Sequence, residues 1–123
     1  MFHTDYTGPT GLIGTGPDLA RFGQAFLNGG ELDGQRILNA ESVAAMLNTG
    51  FGENTGPDGE RMGLGWHWWQ SPAGPFRGHG GAGPGFSAQL AIYPGREMVI
   101  VILGNNTLMD RISLTNFSAS VFR

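Results

Sequence analysis

Apolar residues first fall into step at Leu19, Phe22 and Phe26, spaced i, i+3 and i+7, while Asp18, Arg21, Gln24 and Asn28 point elsewhere. That period predicts a helix over 17–28. Thr15 with Asp18 three positions on makes a capping-box start, Pro17 suits the first turn, and Gly29-Gly30 stops the helix without a Cβ penalty. Asn39 is a second N-cap candidate, with Glu41 near the positive end of the helix dipole. Val43, Met46 and Leu47 give this second helix, over 40–48, a short apolar face. Residues 50–61 mix glycine and polar residues around Pro57-Asp58-Gly59, which is loop chemistry, and residues 1–14 show no period. From Leu64 the period becomes two. Leu64, Trp66 and Trp68 share one side of a predicted strand, and Phe86, Ala88, Leu90 and Ile92 alternate with Ser87, Gln89, Ala91 and Tyr93 as a half-buried one. Pro94-Gly95 supplies a reverse turn into Met98–Leu103, an unbroken apolar run expected to be buried on both faces. Thr107 with Asp110 repeats the capping spacing before a helix over 108–122, whose apolar face would be Leu108, Ile112, Leu114, Phe117 and Val121.

The order helix, helix, strands, helix predicts an α+β fold: two or three antiparallel strands between about 64 and 104, with helices laid on them. The 123 residues suit one small domain, and 40% hydrophobic against 14% charged residues can support a packed core. The 22 glycines and 7 prolines follow no repeat, so they read as turns between ordered elements. A net charge of -3, with the basic residues scattered, argues against a nucleic-acid surface. No cysteine is present, so disulfides and thiolate metal sites are excluded and the redox compartment stays open. The first residues lack a signal-peptide pattern, and Met98–Leu103, the longest apolar run, is too short to span a bilayer.

Candidate chemistry concentrates in Gly78-His79-Gly80-Gly81-Ala82-Gly83-Pro84-Gly85-Phe86. Gly78, Gly80 and Gly83 satisfy a dinucleotide-binding G-x-G-x-x-G by letter, but a strand pattern follows where that site needs a helix. Gly85-Phe86-Ser87-Ala88-Gln89 misses the nucleophile elbow at its last position, and no histidine follows Ser87. A third reading fits better: consecutive glycines let a substrate approach the backbone, whose N–H groups can stabilise an oxyanion, with His79 alongside. On these residues alone, a surface loop with a solvated histidine is as good an account. His3, His67 and His79 have no close metal-ligand spacing. Asp18 and Asp110 are better explained as helix-start residues than as a catalytic carboxylate pair.

Four strings in order resemble the serine β-lactamase-like family, which includes class C β-lactamases, D-alanyl-D-alanine carboxypeptidases and related esterases. Gly11-Leu12-Ile13-Gly14-Thr15-Gly16-Pro17-Asp18-Leu19-Ala20-Arg21-Phe22 is similar to its GGLYST-x-x-DLARF helix start. Ile37–Val43 is similar to ILSPESV, and Gly63-Leu64-Gly65-Trp66 to YGLGW. The fourth is Gly78–Phe86, followed by a strand, the Pro-Gly hairpin, Val99–Leu103 and Gly104-Asn105. The resemblance implies the C-terminal portion of the β-lactamase/transpeptidase-like fold. It also implies acyl transfer on an ester, peptide or β-lactam amide, and no metal or organic cofactor. His79-Gly80-Gly81 matches the family's late Lys-Thr-Gly or His-x-Gly strand. By that match His79 takes the place of the cation, Ala82 offers one of two oxyanion N–H groups, and Gly83 and Asn105 fall to substrate binding.

The family's other two motifs have no match. The seven basic residues are all arginine, so no Ser-x-x-Lys exists, and neither Tyr6 nor Tyr93 has Asn two positions later. Without a base to take its proton, a serine hydroxyl is a poor nucleophile. The chain is therefore expected to be a single incomplete domain over 1–123, partnered by a missing N-terminal segment and inactive alone. Its substrate in the whole enzyme would be a small molecule or peptide. The alternative is a non-catalytic binding module using the Trp66–Trp69 strand and the His79–Phe86 turn. Trp66, Trp68 and Trp69 could line a sugar or acyl pocket, though a core role is the commoner fate of such residues. Family members occur both exported and inside the cell, which leaves localisation open.

Overall fold

The computed structural model describes residues 11–51 and 60–122. Local capping chemistry sets the first two helices where the periodicity places them. Helix α1 spans Gly16–Leu27, and Thr15 Oγ1 accepts the Asp18 N–H at 3.2 Å while the Asp18 carboxylate accepts the Thr15 N–H at 3.2 Å. A tight turn follows, with Asp33 and Gly34 both at positive φ, between β1 (Glu31–Leu32) and β2 (Gln35–Arg36). Helix α2 spans Ala40–Asn48, and Asn39 Oδ1 accepts the Ser42 N–H at 2.7 Å.

Among the described residues the main sheet has six antiparallel strands in chain order, more than the two or three expected. They are β3 (Gly50–Phe51), β4 (Arg61–Gly63), β5 (His67–Trp69), β6 (Phe76–Gly83), β7 (Phe86–Tyr93) and β8 (Met98–Gly104). Strands β3 and β4 are the two ends of the stretch read as loop; its middle, 52–59, lies outside the described residues. The strand expected from Leu64 begins only at His67, because Gly65 at φ +75 turns the chain and leaves Leu64 exposed. Trp66 then enters one core, with Phe26, Val43, Leu47, Leu90 and Ile92, beneath α1 and α2.

The opposite face carries a second core of Trp69, Phe76, Ala91, Tyr93, Ile100 and Ala119. It is covered by α3, Arg111–Val121. This layer corrects the half-buried reading of β7: Ser87, Gln89, Ala91 and Tyr93 are buried as well, since α3 shields the face that alternation alone assigns to solvent. Helix α3 itself starts later than expected. Asp110, not Thr107, is its N-cap, with Oδ1 accepting the Ser113 N–H at 3.0 Å. Its phase also differs from the apolar pattern. Thr115 and Ala119 face the sheet, where small side chains allow close approach, while Leu114, Phe117 and Val121 are exposed and Leu108 lies outside the helix.

Both capping carboxylates sit below the ordinary value of 3.8, Asp18 chiefly through the Thr15 side-chain hydrogen bond and Asp110 through the Ser113 backbone N–H. A depressed native pKa means that the unfolded chain binds more protons in this window. The stabilisation is therefore present above the unfolded value and lost as pH falls through the native one. The thermal midpoint, followed by circular dichroism, should fall as pH drops below about 5, and a D18N/D110N double variant should flatten that fall. Equal pH slopes for the two proteins would remove the caps from the account.

Candidate functional site

Strand β5 pairs with β6 only across Phe76, Arg77 and Gly78, whereas β7 pairs with β6 as far as Gly83. Among the described residues, His79–Gly83 therefore has one edge with no strand paired to it, where backbone N–H groups can meet something else. His79, Gly80, Gly81, Ala82 and Gly83 of the late-motif reading run along this edge.

His79 is exposed, and its Nδ1 donates to the Gly80 carbonyl at 2.8 Å. A carbonyl only accepts, so Nδ1 carries a proton, and among the described residues Nε2 has no hydrogen-bond partner. The His67 ring lies 4.9 Å from that of His79, and His67 Nδ1 pairs with the Glu60 carboxylate. His79 also lines a pocket of about 310 Å³ with Phe22, Phe26, Trp66 and Leu90, between α1, α2 and the sheet.

The glycines differ in what they admit. A Cβ on Gly80 would stand 2.5 Å from Arg111 Nη1 and 2.6 Å from Gln89 Oε1, so its bareness lets a guanidinium approach the strand from the α3 side. Arg111 also donates to the Ala88 carbonyl at 3.2 Å. Gly83 accommodates the Phe86 ring, while a Cβ on Gly81 would meet nothing within 4 Å. The open surface of the motif is thus at Gly81.

Thr107 clamps the β6–β7 turn: its hydroxyl donates to the Gly83 carbonyl and accepts the Gly85 N–H, each at 2.8 Å. Ser87 is buried and donates to the Asn106 carbonyl at 2.7 Å, which fits a structural serine rather than a nucleophile. Asn105 is exposed just past β8. Gly104 pairs with Ser87 and Ser87 with Ala82, so Asn105 stands two strand spacings, about 10 Å, from the Ala82 strand. The structure groups His79 to Gly83 and sets Asn105 apart. Arg111 and Thr107 escape sequence reading because only the docking of α3 and its leading loop brings them to β6.

The tryptophans are mainly structural. Trp66 and Trp69 are buried in the two cores, and Trp68 lies beneath the Arg77 guanidinium, 3.5 Å from ring centre to Cζ. Among the described residues, no group of three or more His, Cys, Asp or Glu could hold a metal ion. His3 lies outside them. No helix among them is long and apolar enough to cross a membrane.

Helices on both faces of an antiparallel sheet make this an α+β domain. The Beta-lactamase family model matches residues 1–118, and the chain belongs to that family. No curated protein matches it.

Proposed function

We propose that this chain supplies one wall of a serine acyl-transfer site, and that the nucleophile and its base come from a segment outside this sequence. The edge of His79–Gly83, unpaired among the described residues, carries the reading: it offers backbone donors beside a histidine whose Nδ1 is held by the Gly80 carbonyl, next to an apolar pocket. In the assembled site a serine Oγ attacks the acyl carbonyl as its proton passes to the base. The carbonyl oxygen becomes an oxyanion held by the Ala82 N–H and the serine's own N–H. The alcohol or amine leaves with a proton, and water then releases the acid. His79, in place of a lysine, contributes a hydrogen bond or positive charge toward the substrate. A histidine there favours esters and peptides over β-lactams. The rival binding-module reading keeps only the half-buried Trp68 of its tryptophans, because Trp66 and Trp69 are buried.

The test has two arms. The chain alone, incubated with a chromogenic ester and a chromogenic β-lactam, should show no turnover and no acyl adduct by mass spectrometry. Turnover that disappears when a serine of this chain is replaced would overturn that expectation. Supplying a family segment that bears Ser-x-x-Lys and Tyr-x-Asn should restore hydrolysis, and His79→Ala should lower it on the order of a hundredfold. Restored activity indifferent to His79 would sink the assignment of this wall.

A further inference from the structure

We propose that His67, held by Glu60, is the positioning residue that fixes the His79 imidazole beside the glycines of β6. The proposal rests on reading that strand as one wall of an acyl-transfer site, and it names what holds the wall's histidine still. Little in β6 itself can do so. His79 is exposed, and its neighbours in the strand, Gly78 and Gly80, have no side chains for it to lean on. A histidine turns about two side-chain bonds, so one hydrogen bond, from Nδ1 to the Gly80 carbonyl, leaves an exposed ring weakly fixed. The second constraint comes from β5. The His67 ring lies 4.9 Å from that of His79, centre to centre, with the planes inclined at 59°. Among the described residues it is the one aromatic ring in contact with His79.

His67 is itself anchored on two sides. Its Nδ1 pairs with the Glu60 carboxylate, both side chains being half-buried. An ionised carboxylate only accepts, so Nδ1 of His67 carries a proton, and the bond to Glu60 sets the plane of the ring. The face of that ring stacks on Trp69, with centres 5.5 Å apart and planes 29° from parallel. Trp69 stacks in turn on Phe76 at 5.1 Å, and Phe76 meets Tyr93 at 5.0 Å. Phe76 and Tyr93 are fully buried in the core beneath α3. A ladder of rings thus runs from that core out to His79.

Backbone register delivers the ladder to this point. Trp69 pairs with Phe76 and His67 with Gly78, the last pair before β6 leaves β5 behind. Gly78 puts no side chain opposite His67, so the His67 ring can lean along β6 toward the next residue, His79. A plainer role for the Glu60–His67 pair is to close the β4–β5 hairpin, since Met62 of β4 is paired with His67. The two roles differ in their reach. A hairpin clip ends at β5, whereas positioning shows at His79.

The chain has three histidines, so its imidazole signals in long-range proton–nitrogen NMR spectra can be assigned by substitution. With the rings neutral, His79 should show a single tautomer, protonated on Nδ1. His67→Ala should turn this into the averaged pattern of an imidazole that exchanges its proton between both nitrogens, with the amide signals of β7 and β8 unmoved. Glu60→Ala, which leaves every ring of the ladder, should shift the same resonances in the same direction by less. His67→Phe keeps the stack on Trp69 and should restore part of the single-tautomer pattern. An unchanged His79 pattern in His67→Ala and Glu60→Ala would overturn the proposal and leave a hairpin clip. If His67→Ala displaces the sheet amides, Glu60→Ala decides alone, by the same shift or its absence.

With the family segment supplied, His67→Ala should lower kcat/KM by about tenfold through misplacement of His79. The double variant His67→Ala/His79→Ala should be no slower than His79→Ala, because both changes remove one function. Independent, additive losses would count against the proposal. The NMR arm needs this chain only, so the two readings fail separately. A fixed His79 to which hydrolysis is indifferent sinks the wall, whereas a His79 that hydrolysis needs but His67 does not hold sinks the positioning role.

Discussion

Gly78→Ala should prevent the chain from reaching its native sheet. A Cβ at this position would lie 2.2 Å from the Leu90 carbonyl oxygen and 3.2 Å from Gln89 Nε2. The first contact is with backbone, so no rotamer change relieves it. Leu90 is paired with His79 in the β6–β7 ladder and buried beneath α1, and moving its carbonyl would break one of the two longest ladders among the described residues. Ordinary overpacking costs about 1–3 kcal/mol because side chains can shift; a fixed carbonyl in a central strand should cost more. Gly81→Ala is the control. Its Cβ would meet nothing within 4 Å and its φ is not positive, so the stability change should be small. Denaturant unfolding of the two variants gives the comparison. A Gly78→Ala protein with an unchanged midpoint would show that β6 and β7 are not paired in this register.

The contrast between these glycines shows what the sequence could and could not reveal. Gly78 and Gly81 look alike as letters in one run, and only the position of β7 separates an obligatory glycine from a permissive one. The starts of α1 and α2 were legible because their signals are local: Thr15 with Asp18, and Asn39 with Ser42, interact within three residues. The strand at β7 was legible as a strand, but its burial was not, because α3 arrives from later in the chain to cover Gln89 and Tyr93. The phase of α3 misled for a related reason. The most apolar positions, Leu114 and Phe117, face outward, and the sheet selects Thr115 and Ala119 for their size. The site divides the same way. His79 to Gly83 are contiguous, so pattern and family resemblance pick them out together as candidates. Arg111 and Thr107 reach β6 only through tertiary packing, and Asn105, contiguous with a matching string, stands off from it.

Trp66→Ala should be the most damaging substitution in the first core, and it should separate cleanly from Trp68→Ala two residues on. Trp66 is 4% exposed, and its ring stands edge-on to Phe26 at 4.9 Å. It closes one side of the pocket that His79 also lines, so truncation would open that pocket onto Phe26 and Leu90. Loss of a buried tryptophan typically costs about 3–5 kcal/mol, a large share of the 5–15 kcal/mol that holds a domain together. For a chain of this size the melting temperature should fall by roughly 15 °C or more. Trp68 is placed differently. Its ring is half-buried and lies 3.5 Å from the guanidinium of Arg77 and 5.6 Å from that of Arg61. Removing the ring gives up a cation–π contact worth about 0.5–2 kcal/mol, while Arg77 keeps its 2.7 Å hydrogen bond to the Leu47 carbonyl. Thermal unfolding of both variants should therefore rank Trp66 well ahead of Trp68. Equal losses would mean that Trp66 is not seated between α1 and the sheet, and the pocket beside His79 would lose its wall.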